Sequence, residues 1–418
     1  TSANDATITL NNTSNAFTGA MTITTNDASG TDADVTIDGG TTALNIGAST
    51  IDGDLTVTSG NASGIIDSGT VTVGGNLIAT TDANNGVIDL GTTTVTGTMD
   101  LTSHGSGNVT IDNANADIVL IASEIGGNLT LTTGNASGII DSGNVTVGGN
   151  LVATTDANSG VIDLGTTLVT GTVALTTNGS GNATFDNDTL NIDLAASNVG
   201  GNLTVTTGNA SGITDSGTVT VGGNLVATTD ANSGVINLDS MAVDGTFTLS
   251  PHSTGAVTVV NDAGLDLAAS TMGGTFSGTA TTGNISDAGA LAITGAATFI
   301  TGATGSNIIL DVASNAFSNS VEMRADDGSE AFGNITFVDS AAVDFDSSAS
   351  ANGDLFINAS TDGAVGGNLN VTATTGNITQ NAALTVTGTT TLTTSANDAT
   401  ITLNNTSNAF TGAMTITT

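Results

Sequence analysis

Short runs of alternating apolar and polar residues recur along the whole chain. Leu55-Thr56-Val57-Thr58 and Thr70-Val71-Thr72-Val73 are typical. A period of two puts successive side chains on opposite faces of a β-strand. Val and Thr, branched at Cβ, suit that state. Gly-Asn, Asp-Ala-Asn and Ser-Gly clusters interrupt the runs every few residues, as turns do. No stretch carries a convincing amphipathic pattern at helical spacing. The elements predicted are therefore many short strands joined by tight turns.

The runs fall in columns. Gly53, Gly75 and Gly97 recur at a constant spacing, 75 − 53 = 97 − 75 = 22. At that spacing Leu55, Leu77 and Met99 align, as do Val57, Ala79 and Leu101, Ile66 with Ile88, and Val73 with Val95. Such columns are what a coil needs when each turn lies on the one below. The predicted fold is all-β: a parallel β-helix (β-solenoid) of about 22–30 residues per rung, with three short strands in a typical rung. Sandwiches and barrels also alternate, but do not explain columns that repeat at one rung length.

Longer periods sit above this one. Modules with a period of 74 occupy 53–126, 127–200 and 201–273, each opening on a variant of Gly-Asn-Leu-Thr. Residues 283–323 recur at 376–416, an offset of 93. Residues 394–418 repeat 1–25 letter for letter, an offset of 393. The expectation is one continuous solenoid over 1–418, a single period of a tandem array with the start of the next. At ~4.8 Å per rung, roughly 16 rungs span about 75–80 Å. Both termini read as ordinary repeat, so the expected coil is uncapped. Such ends invite further pairing, which makes self the expected partner, through tandem continuation or head-to-tail stacking. No signal peptide is seen and the first residue is not Met, so processing or omission of flanking sequence is expected.

Composition narrows the partners. Thirty-eight carboxylates face one basic residue, Arg324, for a net charge of −37. Nucleic-acid binding and attraction to anionic membranes both need clustered Lys and Arg, so neither is expected. No apolar run reaches the length of a membrane span. An apolar fraction of 38% argues against disorder despite that charge. The absence of Cys fits an extracellular bacterial protein that avoids disulfides.

The segments GNITQNAALTVTGTTTLTT (376–394) and ITLNNTSNAFTGAMTI (401–416) resemble repeats of large secreted bacterial exoproteins, the filamentous-haemagglutinin-like and giant β-strand-repeat adhesins. The resemblance recurs at 1–25, 53–236, 283–323 and 367–418. It implies a right-handed parallel β-helix fibre, exported and displayed on the cell surface for attachment or biofilm matrix. The family's secretion domain is not in this segment, and no receptor is implied.

Candidate chemistry is thin. Arg324-Ala325-Asp326-Asp327-Gly328 is the one stretch with the mixture of charges that polysaccharide-acting β-helix enzymes use, and its plain reading is a loop with one solvated ion pair. His104 and His252 sit in turn-like segments without a nucleophile at a suggestive spacing. Asp32 with Asp34, Asp326 with Asp327, and Asp344 with Asp346 are the Ca2+ candidates, though EF-hand and nonapeptide patterns are absent. Asn-x-Ser/Thr triplets such as Asn61-Ala62-Ser63, Asn128-Leu129-Thr130 and Asn377-Ile378-Thr379 read as turn residues or Asn ladders rather than glycan acceptors. Phe17, Phe317 and Phe410, each in Asn-Ala-Phe, are expected to fill a corner of the core. A Thr-based ice-binding face is broken at once, because Thr56 and Thr58 align with Ile78 and Thr80. With no catalytic residues and no cofactor assigned, the chain is expected to be a structural shaft rather than an enzyme. The alternatives are a polysaccharide-acting β-helix enzyme or a ligand-binding solenoid.

Overall fold

In the computed structural model, residues 5–25, 33–82, 85–325, 333–346, 354–357 and 364–418 are described. Every regular element among them is a strand, and the strands pair in parallel. The fold is a parallel β-solenoid of about 16 turns. Thr1–Val205 and Thr206–Thr418 form two compact units.

In the first unit the predicted columns are real. Leu55 pairs with Leu77 and Leu77 with Met99, while Val57, Ala79 and Leu101 follow two residues on. Val73 lies on Val95. One predicted pair shifts by a residue: Ile65, not Ile66, meets Ile88, and Ile66 meets Asp89. The turn from Thr81 to Ile88 is one residue longer than that from Ser59 to Ile65, so the register there advances by 23. Ile65 is accordingly fully buried and Ile66 is not.

Each turn consists of two halves. One half is a single strand of five residues, as in Leu55–Ser59. The other is a pair of three-residue strands bent round a corner, as in Ile65–Asp67 and Val71–Val73. Near the end of a module the order changes. Met99–Ser103 is followed by another single strand, Val109–Asp112, and only then by the bent pair Ile118–Leu120 and Ser123–Ile125. Val109 lies on Ile88, and Leu129 lies on Val109. The column thus runs Ile65, Ile88, Val109, Leu129, Leu151, Val173, Leu194. Leu129, the sequence counterpart of Leu55, belongs to the sheet of Ile65. Each such module makes seven half-turns, and successive copies of one sequence open on opposite sheets.

The second unit repeats this behaviour. Ile285 lies between Leu265 and Ile308 on one sheet. Its counterpart in the later copy, Ile378, lies on Val343 in the other. Rungs here lengthen without losing register: Ile335 meets Leu369 across an offset of 34.

The core is a set of inward columns. Burying each Val, Ile, Leu or Phe contributes about 1.5–3 kcal/mol. In the second unit Phe276, Phe299, Phe317 and Phe337 form a ladder with ring centroids 5.1, 6.2 and 5.1 Å apart. Phe317 is therefore the corner filler expected, whereas Phe17 and Phe410 are only half-buried.

Stacking leaves no room for side chains at some turns. Gly138 has φ +78°, and a Cβ there would sit 1.9 Å from the Val161 carbonyl oxygen. That oxygen accepts the Ile139 N–H at 2.9 Å. Gly138→Ala is expected to cost at least ~3 kcal/mol, from left-handed backbone and from forcing two rungs apart. Hydrogen exchange of amides 139–141 and 162–164 reads this directly, and unchanged protection would refute it.

Candidate functional site

The polar side chains that sequence reading picks out are largely spent on axial stacking. At the Gly-Asn corners each carboxamide or carboxylate accepts a backbone N–H of the following rung. Asn76 N donates to Asp54 Oδ1 at 2.7 Å, and Thr98 N to Asn76 Oδ1 at 2.9 Å. Asn108, Asn128 and Asn150 continue the pattern at 2.8–2.9 Å. In the second unit Asn284, Asn307, Asn334 and Asn368 do the same at 2.7–2.8 Å. The corner breaks the sheet ladder, and these side chains supply acceptors for the half-buried to exposed amides it leaves over. The ladder reading of Asn128 and Asn377 therefore holds: Asn377 Oδ1 takes the Thr400 N–H at 2.8 Å. Asn61 instead closes its own turn on Ser63 N and donates to Thr41 O, both at 2.8 Å.

Three of the six Ca2+ candidates, Asp34, Asp344 and Asp346, lie among the described residues. Asp34 Oδ1 is the first step of that ladder, accepting from Asp54 N at 2.8 Å. Asp344 Oδ2 accepts from Asn381 Nδ2 at 2.5 Å. Asp346 follows the strand Val343–Phe345. Asp32, Asp326 and Asp327 lie outside the described residues. Among the described residues, no three His, Cys, Asp or Glu side chains gather as a metal centre would require.

Arg324 pairs with Glu322 two residues back on the same strand, its Nε donating to Glu322 Oε1 at 2.7 Å. Its side chain is 44% exposed, which makes this a solvated pair. His104 Nδ1 lies 2.5 Å from Thr81 O, and His252 Nδ1 accepts from Ser233 N at 3.3 Å. Both rings thus tie a turn to the rung before it. Thr56 and Thr58 meet Ile78 and Thr80, so the threonine array is interrupted as expected.

Three groups went unseen in the sequence. The first is a buried asparagine that recurs from module to module: Asn113, Asn187 and Asn261 are all fully buried. Asn187 Oδ1 accepts Val169 N at 2.7 Å, and its Nδ2 donates to Val169 O at 3.0 Å and Asn191 O at 2.6 Å. Asn113 and Asn261 repeat the arrangement on Val95 and Val243. The second is a carboxylate clamp. Asp141 accepts from Gly165 N, Thr166 N, Thr166 Oγ1 and Thr167 Oγ1 at 2.8–3.1 Å. Asp67, one module earlier, holds Gly91 and Thr92 in the same way. The third is a pair of buried carboxyls in the second unit. Asp287 accepts from Asp311 N, Val312 N and Asn315 Nδ2, the last at 2.6 Å. Asp339, 2% exposed, accepts from Phe317 N and Ala341 N at 3.2 and 3.3 Å. Burial raises the pKa of both above the ordinary 3.8, against the opposing pull of these donors. Asp100 and Asp215 are raised by the same cause. The signal for the first two was spacing: a polar residue at the same place in consecutive modules. Asp287 and Asp339 carried no such signal.

Open grooves recur too. One of about 400 Å³ is lined by Thr70, Thr92, Thr94, Asp112 and Asn115. Another of about 250 Å³, lined by Asn144, Thr166, Leu168, Asp186 and Asp188, is its counterpart one module on. A third, about 450 Å³ and apolar, lies over Ile8, Leu10, Phe17, Met21, Ile23 and Ile37. Among the described residues no helix is long and apolar enough to cross a membrane.

The profile of one protein family, described as repeats of unknown function (DUF5649), matches residues 32–86, 106–162, 180–250, 254–324 and 332–417. No curated protein and no solved structure matches the chain.

Proposed function

From the premise that this chain belongs to the DUF5649 family of repeats, we propose that it is the structural shaft of an extracellular bacterial fibre or giant surface adhesin. The axial ladder carries this reading. Backbone bonds, the Asn and Asp corners and the Asn187-type clamps all run from one rung to the next, so the side chains best placed for chemistry are committed to cohesion. A load along such a stack is shared by many parallel hydrogen bonds. The absence of Lys and a single Arg leave trypsin one site. The charge of −37 keeps filaments apart sideways unless cations screen it. Display outside the cell and a role in attachment or matrix belong to the same proposal, resting on the absence of Cys and on the resemblance to secreted exoproteins.

The test is the mass of the native material after full unfolding in formic acid, with antibody labelling of intact cells. A shaft built from tandem periods gives a species many times 40.3 kDa that labels at the surface. A soluble species of 40.3 kDa confined inside the cell would end the proposal.

A further inference from the structure

Where one bent pair lies on another, backbone satisfies the last residue of its second strand. Val73 O accepts from Thr96 N at 3.1 Å, Val147 O from Thr170 N at 3.0 Å, Val221 O from Asp244 N at 3.0 Å and Ile293 O from Ser318 N at 2.9 Å. The residues stacked on these four are Val95, Val169, Val243 and Phe317. Their spacing is constant, 169 − 95 = 243 − 169 = 317 − 243 = 74. Each ends the last bent pair before a single strand takes over that sheet. The single strands begin at Val109, Ala183, Val257 and Ile335, which lie on Ile88, Ile162, Ile236 and Ile308.

Four positions after each of those starts stands a polar residue: Asn113, Asn187, Asn261 and Asp339. All four are buried. The asparagines close on the waiting valines as a peptide group would, Oδ1 accepting the N–H and Nδ2 donating to the carbonyl. The distances are 2.7 and 3.0 Å on Val95 and on Val169, and 2.9 and 3.0 Å on Val243. One carboxamide thus stands in for the strand that is missing. Asp339 Oδ1 likewise accepts from Phe317 N at 3.2 Å, but a carboxylate has no proton to return. Among the described residues, no donor is bonded to the Phe317 carbonyl. Asn315, at a place where the bent pair continues, is also fully buried and is bonded differently: Oδ1 takes Leu291 N and Nδ2 goes to Asp287. Closing on one residue from both sides therefore marks the switch between sheets, and not buried asparagine in general.

We propose that Asp339 is a proton-gated member of this series: as the neutral acid it closes on Phe317 from both sides, and as the carboxylate it leaves the Phe317 carbonyl bare and the switch loose. A protonated carboxyl carries one O–H donor and keeps an acceptor, which is the pair a carboxamide supplies. Burial favours that form, against the N–H groups of Phe317, Ala341 and Ser340. The strands paired with Ile335–Asp339, Ile308–Leu310 and Leu369–Ala373, carry no ionisable side chain. On neighbouring elements Asp287 is held by Asn315, Asp344 by Asn381, and Glu322 pairs with Arg324, while Asp311 follows Leu310. None of these charges is among the causes acting on Asp339. The inference goes beyond the shaft reading and does not depend on where the chain is displayed.

The test uses the whole 418-residue chain. The readouts are the carbonyl-carbon NMR shift of Phe317, taken through the Ser318 amide, and hydrogen exchange of the Phe317 amide. In wild type the carbonyl shift should move toward its hydrogen-bonded position between about pH 7 and about pH 4. Asp339→Asn should hold that position at both pH values and slow exchange of the Phe317 amide at about pH 7 by about tenfold or more. Asn113→Asp should import the behaviour at Val95, opening the seat at about pH 7 and closing it at about pH 4. A wild-type Phe317 carbonyl indifferent to pH overturns the proposal. So does an Asp339→Asn chain whose Phe317 amide exchanges faster than wild type at about pH 7, the result expected if the carboxylate is the working form. An Asn113→Asp seat that stays open in acid overturns it as well.

Discussion

Asn187→Ala is expected to destabilise the first unit by about 3–5 kcal/mol, because the side chain is fully buried and fills three bonds at once. Alanine leaves the Val169 N–H, the Val169 carbonyl and the Asn191 carbonyl without partners, at about 1–3 kcal/mol for each buried group left bare. Asn187→Asp is expected to be no better. A carboxylate accepts from Val169 N but has nothing to give the two carbonyls, and it brings a buried charge. The control is Asn182→Ala, whose side chain accepts one exposed bond from Asn202 N at 2.8 Å. That change should cost within about 1 kcal/mol. With no Trp or Tyr in the chain, the readings are urea denaturation by far-ultraviolet circular dichroism and hydrogen exchange over residues 165–200. Equal costs for Asn187→Ala and Asn182→Ala would refute the clamp.

Mild acid is expected to strengthen this protein. Asp287 and Asp339 are held above 3.8 by burial, and Asp100 and Asp215 shift the same way. Each carboxyl keeps its proton to higher pH in the folded chain than in the unfolded one. As pH falls through the folded value the native state takes up protons first, so stability rises and is fully gained below 3.8. Raising the pH through the same window loses it. Most proteins show the reverse, because their carboxylates are paired with cations whose partnership acid destroys. Here one Arg and two His are the only basic side chains, so acid discharges the chain instead of inverting its charge, and self-repulsion falls as well. The urea midpoint should be higher at about pH 4 than at about pH 7. Salt at neutral pH should recover the part due to repulsion. Asp287→Asn with Asp339→Asn should flatten the part due to burial. A midpoint that falls on acidification would show that the burial of these groups has been misjudged.

The columns were legible because the apolar residues that make them are inward at every turn. Leu55, Leu77 and Met99 announce themselves at a fixed spacing, and the alternation within each strand says which side faces in. The Gly-Asn corners were legible for a related reason, since a tight corner needs small residues and leaves amides to be satisfied. The half-turn phase was not legible. Val109-Thr110-Ile111-Asp112 looks like any other strand, and nothing in it says that it crosses to the other sheet in place of a bent pair. That depends on whether a following turn reverses the chain or merely bends it. Asn113 and Asn187 escaped because asparagine near Asp and Gly reads as surface turn, and burial of a polar group is set by partners distant in sequence. Asp34 neighbours Asp32 in sequence, but its described carboxylate oxygen is turned to the rung beyond.

Seven half-turns per module have a genetic consequence. Near-identical tandem units such as 53–126 and 127–200 are prone to gain or lose one copy by slippage. In most repeat proteins that event changes only length. Here an odd count means that inserting one such unit exchanges the two sides for everything downstream, while inserting two restores them. Copy number therefore carries a parity. A feature borne beyond the array would face one flank or the other according to whether the number of units is even or odd, with no change in any residue of the feature itself.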